Sequence, residues 1–410
     1  MITFIDYKYK GVGGVGQIVV NTTLELNRRG KRTKVYCSTE SYEYQSLQKR
    51  NADFVFVDSE EVSRERLGEF LTPNDVIVLT NIGESPLLEE IKYLNNRLIF
   101  YSVHPDTFFV YNNLMDFLFK QKSAAFDFIN VLYNNQALLI MDGPNIQAIY
   151  ERGCPQFKEI TYLPVPVINY SGRSRNTKPS GDFCITYLGR GNDNWKIYPL
   201  IKVLEDLNKS QIRTNLSIIT DKTNLFADMI EKYIPYNKVN IEFVTNLYGE
   251  TLENYMLNYS TLHIAMGTSA LEGAKLGIPT ILIDYSKQKF PDSYKYRWLY
   301  QCEDYCLAGE IKDGVLPYNN GVSLEEVLQT ISSDERYIKE SGYCKSYIEN
   351  NHSIHFFVNQ LEKSCERSRM TTQKYCDTTF SQNMYKFQKS PIKKIASAIK
   401  RSLIGNKYDV

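Results

Sequence analysis

Along the first hundred residues, short apolar runs alternate with stretches in which apolar residues recur every three or four positions. The runs are Ile2 to Tyr7, Lys34 to Cys37, Asp53 to Val57, Val76 to Leu79 and Leu98 to Ser102. Such alternation predicts β-α-β units and a parallel sheet. The first helix is the clearest element: Val15, Ile18, Val19, Thr22 and Leu26 share one face, and Gly30 stands where a C-terminal cap belongs. Two further runs, "FINVLY" and "EITYLPVPV", close this half. Residues 168–182, "INYSGRSRNTKPSGD", lack apolar period and are rich in Ser, Gly and Pro, which predicts a linker. Beyond it the alternation resumes, with "FCITYLGR", "LSIIT", "VNIEFV", "TLHIAM" and "IPTILID" as strands and "YPLIKVLEDLNK" as a helix. Past Gly321 the pattern is mostly helical.

The expected fold class is therefore α/β, with two Rossmann-like doubly wound domains facing a cleft, C-terminal helices and a tail. The boundaries read as an N-terminal domain over 1–167, the linker over 168–182 and a second domain over 183–350. A helix over 351–366 packs back on the body, and a tail covers 367–410. At 410 residues the chain exceeds what one core usually serves, which agrees with two domains.

The net charge of +1 argues against a nucleic-acid partner coated over the whole surface. That balance is uneven. Between Arg367 and Val410 there are ten Lys or Arg and two Asp, a local +8, so the preceding 366 residues carry −7. The eight cysteines show no CxxC spacing, and Cys302 and Cys306 have no second pair or nearby His to complete a zinc set, so reduced thiols are expected. With no signal-peptide pattern and no apolar run long enough to span a bilayer, the body is expected in the cytoplasm.

The stretch "GVGGVGQ" satisfies GxGxxG with Gly11, Gly13 and Gly16, and Glu40 follows the next strand, where a dinucleotide fold places its ribose-gripping acid. An NAD-dependent oxidoreductase is thus one reading. However, Lys8, Tyr9 and Lys10 separate the strand from the first glycine, making a longer loop than a tight turn under a pyrophosphate. A Gly-rich turn with no ligand is the plainer alternative.

The stretch "HIAMGTSALEGAKLGIPTILID", His263 to Asp284, reads as strand, turn at Gly267, and helix. The helix N-terminus could receive a phosphate on Gly267, Thr268 and Ser269, while Glu272, in the first turn, could accept hydrogen bonds from ribose hydroxyls. Alternatively, Ser269 and Glu272 spell a capping box that binds nothing. The wider stretch resembles the nucleotide-binding motif of family 4-like GT-B glycosyltransferases. "LEGAKLGIPTIL" carries that family's helix with a ribose-binding Glu, Glu272, followed by the Gly-Xaa-Pro turn at Gly277 and Pro279. "ITYLGRGNDNWKIYPLIKVLEDL" is similar to its first strand of the C-terminal domain, with Arg190 and Lys196 matching the Arg and Lys that neutralise the donor diphosphate. "GVGGVGQIVVNTTLELNRRGKRTKVY" is similar to its N-terminal glycine loop and first helix, and "EITYLPVPV" to the strand before its linker. Ile264 stands where the family has an earlier acid, and the spacing from Arg190 to Lys196 is one residue longer than usual.

What the resemblance implies is a hexosyltransferase-like GT-B glycosyltransferase, acting in synthesis of a bacterial capsular or other surface polysaccharide. Its first domain takes the acceptor and its second binds a nucleotide-diphosphate sugar as co-substrate, with no cofactor. Gly13 and Gly14 would add backbone donors near the diphosphate. Departure of a nucleoside diphosphate builds negative charge that cationic side chains and helix N-termini can stabilise, so metal independence is expected. His104, ending a strand in "FYSVHPDTFF", is the candidate base for an acceptor hydroxyl, with Asp106 as the alternative and a loop histidine without function as the plain reading. His352 and His355 have near-helical spacing compatible with a metal, but a packed late helix is the simpler reading.

In "SPIKKIASAIKRSLIG", Ser390 can cap a helix, Pro391 suits its first turn and Gly405 can end it. Ile392, Ile395, Ile399 and Leu403 share a face flanked by Lys393, Lys394, Lys400 and Arg401, a pattern that can lie in an anionic membrane surface. A solvated tail or a partner-docking helix is the alternative. The partners expected are a nucleotide-sugar donor, a glycan or lipid-linked acceptor and the inner face of the cell membrane, to which the protein would bind peripherally. A catalytically inactive glycan-binding or scaffold protein of the same fold is the remaining rival.

Overall fold

The computed structural model describes the chain apart from residues 6–13, 60, 63, 81–84, 105–107, 110–123, 180, 182, 190, 192–193, 222–225, 229–238 and 390–410. It divides into two compact units, Met1–Pro164 with Phe357–Val410, and Val165–Phe356. In the first, β1 (Ile2–Ile5), β2 (Thr33–Cys37), β3 (Phe54–Asp58), β4 (Val76–Leu79), β5 (Arg97–Ser102) and β6 (Leu138–Ile140) form a sheet in the order β3-β2-β1-β4-β5-β6. All its pairings are parallel, with Ile2 opposite both Thr33 and Val76. The order reverses between β1 and β4, the arrangement of a dinucleotide-type fold.

The helices α1 (Gly14–Arg28), α2 (Tyr42–Lys49), α3 (Ser85–Glu90), α4 (Ala124–Asn134) and α5 (Gly143–Glu151) connect these strands. Helix α1 buries Ile18, Val19, Thr22 and Leu26 as its pattern predicts, and it ends at Gly30, whose φ of +70° only glycine adopts readily. Gly16 packs so closely on Tyr42 and Glu43 of α2 that a Cβ there would collide with the carboxylate. The third glycine of GxGxxG therefore serves helix–helix approach.

The second unit contains β7 (Phe183–Leu188), β8 (Thr214–Thr220), β9 (Asn240–Thr245), β10 (Leu262–Ala265), β11 (Thr280–Leu282) and β12 (Arg297–Trp298). Its sheet runs β12-β11-β10-β7-β8-β9, parallel except for the short β12. The helices are α6 (Ile197–Lys209), α7 (Gly249–Tyr259), α8 (Thr268–Ala274), α9 (Leu324–Ser332) and α10 (Asp334–Asn351). Counted from β7, this is the strand order of the first unit.

Three sequence expectations change here. "FINVLY" lies within α4, where Phe128, Ile129 and Leu132 are buried on a helical face. "EITYLPVPV" forms no strand and makes only single bridges, from Tyr162 to Ile140 and from Val167 to Ser353, since Pro164 and Pro166 have no N–H to donate. Residues 168–182 do not stand apart as a linker: Arg175 N–H donates to the Leu276 carbonyl at 2.7 Å, and Tyr170 and Ser171 donate to Glu253. The chain crosses between units at 164/165, and the segment beyond is bound into the second unit.

The C-terminal boundaries also differ. The return crossing falls in the first turn of α11 (Ile354–Arg367), and α12 (Thr372–Cys376) and α13 (Thr379–Lys389) follow. Glu362 of α11 pairs with Arg29 at 3.2 Å and Lys31 at 2.5 Å, while Arg97 donates to the Cys365 carbonyl at 2.9 Å. Met370, Tyr375, Cys376, Phe380 and Met384 enter the first unit's core, and Phe380 stacks on Phe128 with ring centroids 4.7 Å apart. Residues 370–387, assigned to a tail from charge alone, thus complete a domain, because their apolar positions recur at helical spacing. The amphipathic segment from Ile392 to Leu403 lies outside the described residues.

Candidate functional site

In the second unit the strand order reverses between β7 and β10, which are direct neighbours. The carboxyl ends of the strands at such a switch point are where open α/β sheets bind ligands. Both motifs of this unit arrive there. Strand β7 runs into Gly189, and β10 runs through Met266 into Gly267.

Beyond β7, the Gly189 N–H donates to the Ile219 carbonyl at 3.1 Å and the Gly191 N–H to Oδ1 of Asp221, at the end of β8, at 2.8 Å. These bonds fix the loop to the sheet. Lys196 ends a single turn, Asn194–Lys196, that leads into α6. Its largely buried side chain lies over Gly189: Nζ comes within 3.9 Å of where a Gly189 Cβ would stand, and is 5.0 Å from the Trp195 ring centroid. A Cβ at position 189 would be in ordinary contact with the Lys196 stem, at 3.5 Å from Cδ, and tightest against the Tyr187 ring, at 3.3 Å. Arg190 lies outside the described residues.

Beyond β10, Gly267 has φ +59° and ψ −148°, a conformation reserved for glycine, and its N–H is used on the Leu307 carbonyl at 3.1 Å. Gly267 is the N-cap of α8, so Thr268 and Ser269 are its first two helical residues rather than its caps, and no side chain caps the helix. Their N–H groups make no hydrogen bond among the described residues, leaving two donors at the positive end of the helix. The capping box expected from Ser269 and Glu272 does not form. Glu272 sits in the second turn, 28 % exposed, with Oε2 paired to Lys275 at 2.6 Å. Its Oε1 has no hydrogen-bond partner among the described residues.

Sequence reasoning missed the support beneath this turn. His263 is fully buried in β10, with Nε2 2.9 Å from the Ser269 carbonyl and Nδ1 2.9 Å from Oγ1 of Thr186 in β7. The geometry fits one neutral tautomer, in which Nε2–H donates to Ser269 and Nδ1 accepts from Thr186. Burial drags the imidazole from 6.5 down to about 4, which the two hydrogen bonds only partly offset. Gly273 packs against the ring: a Cβ there would stand 2.6 Å from its carbon atoms. A polar residue inside the otherwise apolar "LHIA" was the signal available.

Other candidates lie apart. Gly14 is the exposed first residue of α1, and His104, also exposed, follows the carboxyl end of β5 in the first unit. Gly13 and Asp106 are outside the described residues. His352 is structural: buried, it donates from Nδ1 to the Val165 carbonyl at 2.8 Å while its own carbonyl accepts from Val167 at 2.8 Å. His355 is exposed on α11. No group of three or more His, Cys, Asp or Glu that could hold a metal occurs among the described residues, and none of their helices is long and apolar enough to cross a membrane.

No protein-family model matches the chain, and no curated protein does. Solved structures do. A glycosyltransferase from Rickettsia africae ESF-5 superposes with a TM-score of 0.59 at 13% identity, over 89% of this chain and 98% of that one. Anabaena Alr3699/HepE, solved in complex with UDP and glucose, gives 0.54 at 10% identity over 89% and 99%. The lipopolysaccharide outer core galactosyltransferase WaaB in its apo form gives 0.53 at 12% over 88% and 98%. These likenesses span both units. The chain has the GT-B fold. In GT-B terms Met1–Pro164 with the C-terminal helices is the N-terminal domain, and Val165–Phe356 is the C-terminal domain.

Proposed function

We propose that this protein is a glycosyltransferase that moves a sugar from a nucleoside diphosphate to a glycan or lipid-linked glycan, in synthesis of a bacterial surface polysaccharide. The observation that carries the reading is the convergence at the β7/β10 switch point of Lys196 over Gly189, the two open N–H donors of Thr268 and Ser269, and the half-buried Glu272. A diphosphate needs such cations and donors, and a ribose needs a carboxylate with an open oxygen. The fold shared with HepE, which was solved with UDP and glucose, supports a nucleotide-sugar donor.

In this reading Arg190 and Lys196 neutralise the charge that builds on the β-phosphate as the sugar leaves, with backbone donors at Gly267 to Ser269 and at Gly13 and Gly14. Glu272 accepts from the ribose hydroxyls. His104 or Asp106 takes the proton of the acceptor hydroxyl. The cationic groups do this work without a metal or other cofactor. The segment from Ile392 to Leu403 holds the protein peripherally on the inner face of the membrane through Ile392, Ile395, Ile399 and Leu403, with Lys393, Lys394, Lys400 and Arg401 facing anionic headgroups.

The test is release of nucleoside diphosphate from UDP- and GDP-sugars, together with direct binding to Glu272→Ala and Arg190→Ala. Each substitution is expected to weaken donor affinity at least tenfold, about 1.4 kcal/mol. Arg190→Ala keeps the melting temperature, whereas Glu272→Ala lowers it because buried Lys275 loses a partner, so binding is read well below the transition. Unchanged affinity in both variants overturns the site.

A further inference from the structure

Lys275, one residue past the end of α8, is buried with its ammonium enclosed by three oxygen acceptors. Its Nζ lies 2.6 Å from Oε2 of Glu272, 2.8 Å from Oε1 of Glu253 in α7 and 2.8 Å from the Ile168 carbonyl. An ammonium has three protons to donate, so this one is saturated. It also stands 5.4 Å from the Tyr170 ring centroid. Glu253 is fully buried, and its carboxylate accepts the N–H groups of Tyr170 at 2.9 Å and Ser171 at 2.6 Å. Burial opposes the charge on Lys275, but Glu272 and Glu253 hold its pKa above the ordinary value. The same lysine holds Glu253 below its ordinary value against the opposing effect of burial. One charged network therefore joins Glu272 to residues 168–171, the segment by which the chain has just entered the second unit.

We propose that Lys275 is a positioning residue that fixes Glu272 for the ribose and carries the occupancy of Glu272, through Glu253, to residues 168–171. The proposal rests on the reading of Glu272 as the ribose contact. A carboxylate that accepts hydrogen bonds from a ribose holds less electron density for Lys275. The shared ammonium then binds Glu253 and the Ile168 carbonyl more tightly, and in a buried setting little solvent screens that change. Donor binding thus stiffens a segment it does not touch.

Hydrogen exchange of the full chain, with and without saturating UDP or GDP, reads this directly. In the wild type, nucleotide is expected to slow exchange severalfold both in residues 268–276 and in residues 166–173. In Lys275→Met, affinity falls about tenfold, and at saturation 268–276 is still protected while 166–173 is not. Glu253→Gln, a near-isosteric change that serves if K275M does not fold, also loses the protection of 166–173 at saturation. The double variant K275M/E272A binds no more weakly than E272A. Protection of 166–173 that survives in K275M or E253Q, or additive losses in the double variant, overturns the coupling. If E272A is still impaired in that case, the donor reading stands. Failure of the wild type to bind either nucleotide overturns both.

Discussion

His263 and Gly273 form one unit of design: the ring fills the space a side chain at 273 would need, and in return holds the Ser269 carbonyl and Thr186. Burial keeps this imidazole neutral by lowering His263 to about 4, which leaves Nδ1 to accept from Thr186. His352, bonded to Val165, is likewise lowered to about 4 by burial. Unfolded, both take up protons near 6.5, so between pH 6.5 and 4 the unfolded chain binds more protons than the folded one. Stability is therefore intact above pH 6.5 and falls as the pH drops toward 4, by on the order of 3 kcal/mol per histidine. Urea midpoints from pH 7 to pH 4.5 are expected to fall, and to fall less steeply in His352→Asn than in the wild type. Identical profiles would place His352 in water. At this scale the sequence was partly legible: Gly267 and Glu272 were given roles, but Lys275 and His263, in the same stretch, were not, because their partners in α7, β7 and the 168–171 segment are distant along the chain.

Among the elements, those with clean periodicity were read correctly. The apolar face of α1 and its Gly30 terminus, and all five apolar runs of the first hundred residues, correspond to α1 and β1 to β5. Misreadings arose where a local rule competed with tertiary context. "FINVLY" has strand composition but helical burial, and SxxE in α8 matches a capping box although the chain turns earlier, at Gly267. Net charge was a poor guide beyond Arg367, where basic residues line the exposed sides of helices whose other faces enter a core. Truncation separates the two parts of that region. Ending the chain after Arg367 removes Met370, Tyr375, Phe380, Met384 and Phe387, each worth about 2 kcal/mol of burial, enough to exhaust a typical stability of about 5–15 kcal/mol. That variant is expected to lose its cooperative thermal transition. Ending it after Lys389 is expected to leave the melting temperature unchanged and abolish sedimentation with anionic vesicles. Retained vesicle binding in the shorter tail would remove the membrane role from residues 390–410.

Over the whole molecule, two sheets with the same strand order each have a reversal point, the place where open α/β sheets bind ligands, and the proposed donor site lies at the second. The doubling was legible because each unit repeats the same alternation of short apolar runs and helical stretches. The exact crossings at 164/165 and 356/357 were not, since packing rather than composition decides which unit a polar segment joins. Whether the second unit holds a nucleoside diphosphate, as proposed, is read from a thermal-shift panel of UDP, GDP, ADP and NAD. A nucleotide at a hundred times its dissociation constant stabilises the folded chain by about 2.7 kcal/mol. Melting temperature is expected to rise with UDP or GDP, and at the same nucleotide concentration a tenfold weaker Glu272→Ala keeps only about half of that stabilisation. Stabilisation by NAD alone, or silence across the panel, would contradict the proposed donor site.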